Sequence, residues 1–228
     1  MLKQRSQEEE IMDDLDISGP VIAQTLRELN TINKWLGGNQ ISVRAFEKMA
    51  RGKREIKVAD LGCGGGDIMV AMARVSRKAG QQARFTGIDA NAHIVDYAQK
   101  HTAEFPEVDY QVVNIFSDDF ISQSFDIIHC CLFTHHFTSE ELVTLFRQFR
   151  KQARVGVIIN DLHRHPLAYG SIKVLTNLFS RSHMVRHDAA VSVARGFKRC
   201  ELEDILHGAG IHDYSLSWRW AFRWRLVF

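Results

Sequence analysis

Residues 57–68 read KVADLGCGGGDI, an apolar run that reaches Asp60 followed by four glycines, Gly62, Gly64, Gly65 and Gly66, before a helical pattern starts at Asp67. A turn this bare permits unusual backbone dihedrals and lets a ligand approach the main chain closely. Its surroundings define the fold that carries it. From residue 56 the runs IKVADL, ARFTGID (from 83), DYQVVNI (from 109), FDIIHCCL (from 125) and VGVIIND (from 155) alternate with helical patterns over Asp67–Lys78, Ala92–Thr102 and Ser139–Gln152. Strands separated by helices form βαβ units, so the expected class is α/β, a doubly wound and mostly parallel sheet. The terminal segments HDYSLSWRW and FRWRLVF read as an antiparallel hairpin whose last strand inserts into that sheet, bringing it to seven strands.

Before residue 51 the pattern is helical. Val21, Ile22, Leu26, Leu29, Ile32 and Leu36 recur at helical spacing, Gly37 and Gly38 stop the helix, and a second helix is expected from about Ile41 to Ala50. Residues 1–50 are therefore expected to form an N-terminal helical lid over a domain spanning 51–228. About forty residues, 162–200, separate the fifth strand from the helix expected at Glu201–His207, a connection too long for a plain αβ loop. They read as an inserted helical cap.

Composition limits the partners. Lys and Arg number 29 against 27 Asp and Glu, so the chain lacks the overall basic field that draws in nucleic acid. Cys63, Cys130, Cys131 and Cys200 form no CxxC pair or disulfide framework, which fits a reducing compartment. No apolar run approaches the roughly 18 residues that span a bilayer, and a cytoplasmic location without membrane insertion is expected.

The glycine turn alone also suits nucleotide phosphates. Its companions shift the balance. Asp60 stands two residues before Gly62, where a carboxylate opposes a pyrophosphate but suits a ligand carrying an ammonium and a sulfonium. Asp89 ends the second strand, where a carboxylate accepts both hydroxyls of a ribose, and Asn114 follows the third strand, where its amide can read an adenine edge. Asp60 would equally serve to cap the turn, and Asp89 to cap the helix beginning near Asn91.

Over residues 56–160 the chain resembles the class I S-adenosylmethionine-dependent methyltransferases, with VADLGCGGGD, FTGIDAN, YQVVNIFSDDF and FDIIHCCLFTHHF in the places of their successive motifs. The resemblance implies a Rossmann-like fold with S-adenosyl-L-methionine as cofactor. It assigns Asp60, Gly62, Cys63, Gly64 and Asp67 to the methionine part, Asp89 and Ala90 to the ribose, Asn114 and Ile115 to the adenine, and Cys131 with Leu132 to the methyl-donor side. Many relatives carry Asp at the position of Asn114. The segment 162–197 resembles the cap of small-molecule methyltransferases found beside type III polyketide synthases. Arg186, His187, Asp188, Ser192, Arg195 and Phe197 carry that likeness, and it implies an aromatic, hydroxylated acceptor. An apolar wall of Leu175, Leu178, Phe179, Met184 and Phe197 is expected around it.

In-line methyl transfer depends chiefly on positioning, with a base needed where the acceptor is a hydroxyl. His163 and His165, at the entrance to the cap, and His136, in the paired-histidine position of quinone-pathway relatives, are the candidates, His163 first. His163 and His165 with Asp161 lack the further ligands of a metal site, and no metal is expected. The expected activity is O-methylation of a small aromatic or polyketide-like acceptor. Quinone-pathway C-methylation, or cofactor binding by a non-catalytic partner protein, are the alternatives. HCCLF after the fourth strand lacks the NPPY-type segment that holds a flipped base.

Overall fold

The computed structural model describes residues 2–228. Five parallel strands, β1 (Glu55–Leu61), β2 (Gln82–Asp89), β3 (Val108–Val112), β4 (Phe125–Cys131) and β5 (Ala153–Leu162), are joined by β6 (Ser215–Arg219) and β7 (Arg223–Val227) in the order β3-β2-β1-β4-β5-β7-β6. The expected insertion of the last strand is present. β7 runs antiparallel to both neighbours, and Leu226 faces Ile159 on β5 and Leu216 on β6.

The helices are α1 (Pro20–Trp35), α2 (Gly38–Ala50), α3 (Asp67–Lys78), α4 (Ala92–His101), α5 (Asp118–Ile121), α6 (Ser139–Gln152), α7 (Pro166–Phe179), α8 (His183–Arg195) and α9 (Arg199–Gly208). Local chemistry sets their ends. Gly37, with φ +70°, turns the chain from α1 into α2. Asn91 caps α4 by accepting from the His93 and Ile94 amides, and Thr138 with Glu141 forms a reciprocal capping box at α6. Because Asn91 takes that role, the Asp89 side chain is left to the cleft below it.

Adjacent strand residues point to opposite faces. Ile128 packs with Leu142, Phe146 and Phe149 of α6 and Leu202 of α9, while Ile127 packs with Phe46 of α2 and Met69 and Met72 of α3. So α2 covers the sheet. It shares the core with β1, β2 and β5, whereas α1 sits over the strand ends with Ile22 and Leu26 buried against Ile94. Between β5 and α9 lie the two helices α7 and α8. No helix among the described residues is long and apolar enough to cross a membrane.

Leu226 is fully buried between two strands. Leu226→Ala should cost about 2–5 kcal/mol, measured by urea denaturation; an unchanged midpoint would show that β7 is dispensable to the core.

Candidate functional site

A cavity of about 580 Å³ opens at the carboxyl ends of β1, β2 and β4, where doubly wound sheets bind ligands and within the size range of small-molecule sites. Its floor is the glycine turn. Gly62 has φ +65°, and a Cβ there would run into the Phe133 ring, so only glycine lets the two approach. Gly64 has φ +51° and, apart from Leu26 of α1, meets nothing on the side where a Cβ would stand. Backbone is thus offered directly to the cavity.

Two carboxylates flank that backbone. Asp60 is buried, and one of its oxygens is 2.6 Å from His129 Nδ1 on β4. His129 Nε2 lies 2.7 Å from Ser42 Oγ of α2, which accepts in turn from Asn160 of β5 at 3.0 Å. Asp89 accepts from the Asn91 amide at 3.0 Å. Burial raises its pKa, and the backbone N–H groups of Asn91, Gly64 and Ala90 reduce that rise without cancelling it. A carboxylate has about four lone-pair positions, which leaves sites for ligand hydroxyls. Asp67 stands at the start of α3 and accepts from Asn30 of α1.

Two orphaned acceptors line the same cavity. Asn30 Oδ1 and Asn39 Oδ1 are buried without a hydrogen-bond partner among the described residues, a state that a ligand normally relieves. An ammonium offers three donors and no acceptor. The residues present therefore fit the methionine end of S-adenosylmethionine. Ala90, Ile115 and Asn114 line the adjoining part of the cavity. Asn114 Oδ1 accepts from the Phe116 amide at 2.9 Å, which fixes the amide and leaves its Nδ2 donor outside that turn. Leu132 adopts φ +54°, a left-handed backbone that non-glycine residues seldom take, and with Cys131 it forms the cavity wall after β4. Burial pushes the Cys131 thiol up to about 11 against the opposing charge of Arg223, so it stays uncharged there.

The remaining wall is polar and comes largely from the N-terminal segment. Glu10 and Asp13, at either end of a 3-10 turn over Ile11–Asp13, face the paired histidines of a second 3-10 turn, Thr134–His136. His135 Nδ1 lies 2.7 Å from Asp161 and its Nε2 3.2 Å from Glu10; His136 Nδ1 lies 2.5 Å from Asp13. Burial alone would lower the His135 pKa, but Asp161 and Glu10 outweigh it and hold the ring at about 9. Burial likewise opposes ionisation of Asp161 and Asp13; His135 holds Asp161, and His136 with Arg195 holds Asp13, well below the usual carboxylate range. Arg195 also donates to the His135 and His136 carbonyls, and Asp188 accepts from the Ile11 and Met12 amides. His187, Asp188 and Arg195 of the cap thus bind the N-terminal segment, whereas Arg186 donates to the Ser180 carbonyl within the cap.

Of the residues singled out in the sequence, Asp60, Gly62, Cys63, Gly64, Asp67, Asp89, Ala90, Asn114, Ile115, Cys131 and His136 line this one cavity. His163 and His165 do not. They border a separate recess with Leu2, Lys3 and Lys198. His163 Nδ1 accepts from the Trp218 indole at 3.2 Å, and His165 Nδ1 accepts from the Leu167 amide as the cap of α7. Asp161 turns to His135 instead of joining them. The expected apolar wall also lies elsewhere: Leu178 and Phe179 face solvent at 71% and 64% exposure, and none of the five residues lines the cavity. The helical spacing of α7 places that stripe outward, and Leu15, Leu29, Phe116, Phe133 and Phe137 supply the apolar surface. Glu10, Asp13 and His129 were not identified in the sequence, and His135 was placed at the carboxyl edge only as one of four histidines following β4 and β5. Glu10 and Asp13 sit in an acidic run that reads as a solvated face.

Residues 58–156 match the family model described as a methyltransferase domain. The ubiquinone biosynthesis O-methyltransferase of Actinobacillus pleuropneumoniae serotype 7 is 35% identical over 106 residues, 43% of this chain and 42% of that protein. The chain thus aligns with less than half the length of this curated relative. Human N-acetylserotonin methyltransferase, solved in complex with S-adenosylmethionine, superposes with a TM-score of 0.62 at 18% identity, over 90% of this chain and 55% of that one. A methyltransferase from Aquifex aeolicus gives 0.59 at 14% identity, over 81% and 86%. These last two likenesses concern the fold.

Arg195 ties the N-terminal segment to both 3-10 turns. Arg195→Ala should speed amide hydrogen exchange across residues 6–13 while leaving β1 and β4 protected, as read by peptide-resolved mass spectrometry. Unchanged exchange in the segment would show that Arg195 does not hold it.

Proposed function

We propose that the chain is a class I S-adenosylmethionine-dependent methyltransferase, from the methyltransferase-domain match over residues 58–156 and the cavity those residues floor, and that it methylates a hydroxyl of a small aromatic or polyketide-like acceptor. The observation that carries this reading is one cavity containing bare backbone at 62–64, the Asp60 and Asp89 carboxylates, and the orphaned acceptors of Asn30 and Asn39. When bound, S-adenosylmethionine supplies a methyl group on a cationic sulfur. Asp60 and the two asparagines face its ammonium, Asp89 its ribose hydroxyls, and Asn114 with Ile115 its adenine. Cys63 and Cys131 stay neutral thiols, leaving the carboxylates as the complement to the positive charge.

Phe116, Phe133 and Phe137 favour an aromatic acceptor; Phe133 and Phe137 pack edge to face at 5.1 Å. The acceptor hydroxyl meets the polar corner beside His136, the one candidate histidine that lines the cavity. Holding oxygen, methyl carbon and sulfur in line there supplies most of the rate enhancement. The corner formed by Glu10 and His136, whose ring Asp13 orients at 2.5 Å, would take up the proton that the acceptor hydroxyl loses as its oxygen gains the methyl group. The lid expected of residues 1–50 is carried by the segment up to Trp35, since α2 is packed into the core, and α8 completes it as the cap. Four free cysteines accord with a reducing, cytoplasmic setting.

Calorimetric titration should show one S-adenosylmethionine per chain and no NAD binding, with Asp89→Ala weakening the affinity about 10- to 100-fold. Transfer of labelled methyl to a panel of phenols, with NMR of the product, separates an O-methyl ether from a ring C-methylated phenol. Absence of cofactor binding by the unmodified chain would overturn the reading.

A further inference from the structure

Glu10, His135 and His136 each offer a ligand atom, and the three atoms lie within 4.8 Å of one another. The two imidazoles are arranged alike. Asp161 engages Nδ1 of His135 and Asp13 engages Nδ1 of His136, so the Nε2 atoms of both rings are turned toward the same Glu10 oxygen, at 3.2 and 3.9 Å. Carboxylates on the far nitrogen of metal-binding histidines fix the tautomer and orientation in this way. Bond lengths of about 2.1 Å place neighbouring ligand atoms about 3.0–3.4 Å apart. The Glu10 and His135 pair already has that spacing, and the Glu10 and His136 pair reaches it by closing less than about 1 Å.

Charge points the same way. Glu10 and Asp161 are buried, and their only ion-pair partners among the described residues are these histidines. Arg195 is engaged by Asp13, and Arg5, whose charge acts on Asp161, directs its N–H groups to the Arg195, His135 and Phe137 carbonyls. Buried carboxylates need a cation. A proton on His135 supplies one, but it gives no reason for the second ring to be held with Nε2 aimed at the same oxygen.

We propose that Glu10, His135 and His136 bind one divalent first-row transition-metal ion at the polar end of the cavity. Two imidazoles and a carboxylate suit zinc, manganese, iron or cobalt, and the cavity side leaves coordination positions open. In the methyltransferase reading, on which this part rests, an open position receives the acceptor's oxygen and sets it in line with the donor. The binding itself does not depend on that reading. Sequence spacing hides the set, since Glu10 and His135 are 125 positions apart.

The test uses the full chain, stripped with a chelator and titrated with Zn²⁺ and Mn²⁺ by calorimetry in the absence of cofactor and acceptor. One ion per chain is expected, abolished by Glu10→Gln and by His136→Gln, and weakened about 10- to 100-fold by Asp13→Asn. The double variant His163→Gln, His165→Gln should bind as the parent does. Co²⁺ should give visible bands without the near-ultraviolet charge transfer of a thiolate ligand. No saturable binding, binding undiminished in the first two variants, or a thiolate signature from Cys63 or Cys131 would overturn the proposal. If Glu10→Gln fails to fold, His136→Gln decides, because His136 is only partly buried at the cavity wall. Stoichiometric metal binding without cofactor binding would retain the ion site and discard the methyltransferase reading.

Discussion

The contact between Asp60 and His129 underlies the rest of the molecule. A carboxylate buried at the end of a central strand, directly beneath a turn of bare backbone, is costly without a partner. His129 supplies it from the neighbouring strand, and the chain of contacts continues through Ser42 to Asn160. One polar thread thereby locks β1, β4, β5 and α2 in register behind the cavity floor. Removing a partner from such a thread leaves a buried group unsatisfied, which gives it more hold over geometry than its net energy suggests.

A second carboxylate, Asp161, repeats the device on the other side of β4. It accepts from Thr134 at 2.5 Å and from the His135 amide at 3.1 Å, besides its contact to the His135 ring. That fixes the 3-10 turn after β4, and the turn in turn receives the N-terminal segment. Arg5 extends the seam, donating to the carbonyls of Arg195, His135 and Phe137. The floor of the cavity is built from neighbours in one sheet, whereas its polar end joins residues 5–13, 134–137, 161 and 188–195.

This contrast explains what could be read from the sequence. Strand and helix periods express local burial, so the βαβ succession, α3 and α6 and the inserted β7 were legible. That Asp60, Gly62, Gly64 and Asp89 would meet in one place was legible too, because glycines and carboxylates at strand ends carry their geometry with them. His163 was misplaced for a physical reason. It follows β5 at the expected edge, yet the strand ends at Leu162, and the chain beyond it bridges to Phe197 and sets His163 against the Trp218 indole while Asp161 stays with His135. The α7 stripe shows the limit of helical spacing, which marks an apolar face without stating what covers it. Glu10 and Asp13 lay inside EEEIMDDLD, where nothing local separates a buried carboxylate from a solvated one.

The polar end also lies mostly outside the region shared with relatives. The family match runs from 58 to 156; Glu10, Asp13, Asp161, Asp188 and Arg195 all fall beyond it. In the methyltransferase reading, selectivity for the acceptor is then free to drift through a short leading segment and one turn of α8 while the glycine floor stays untouched.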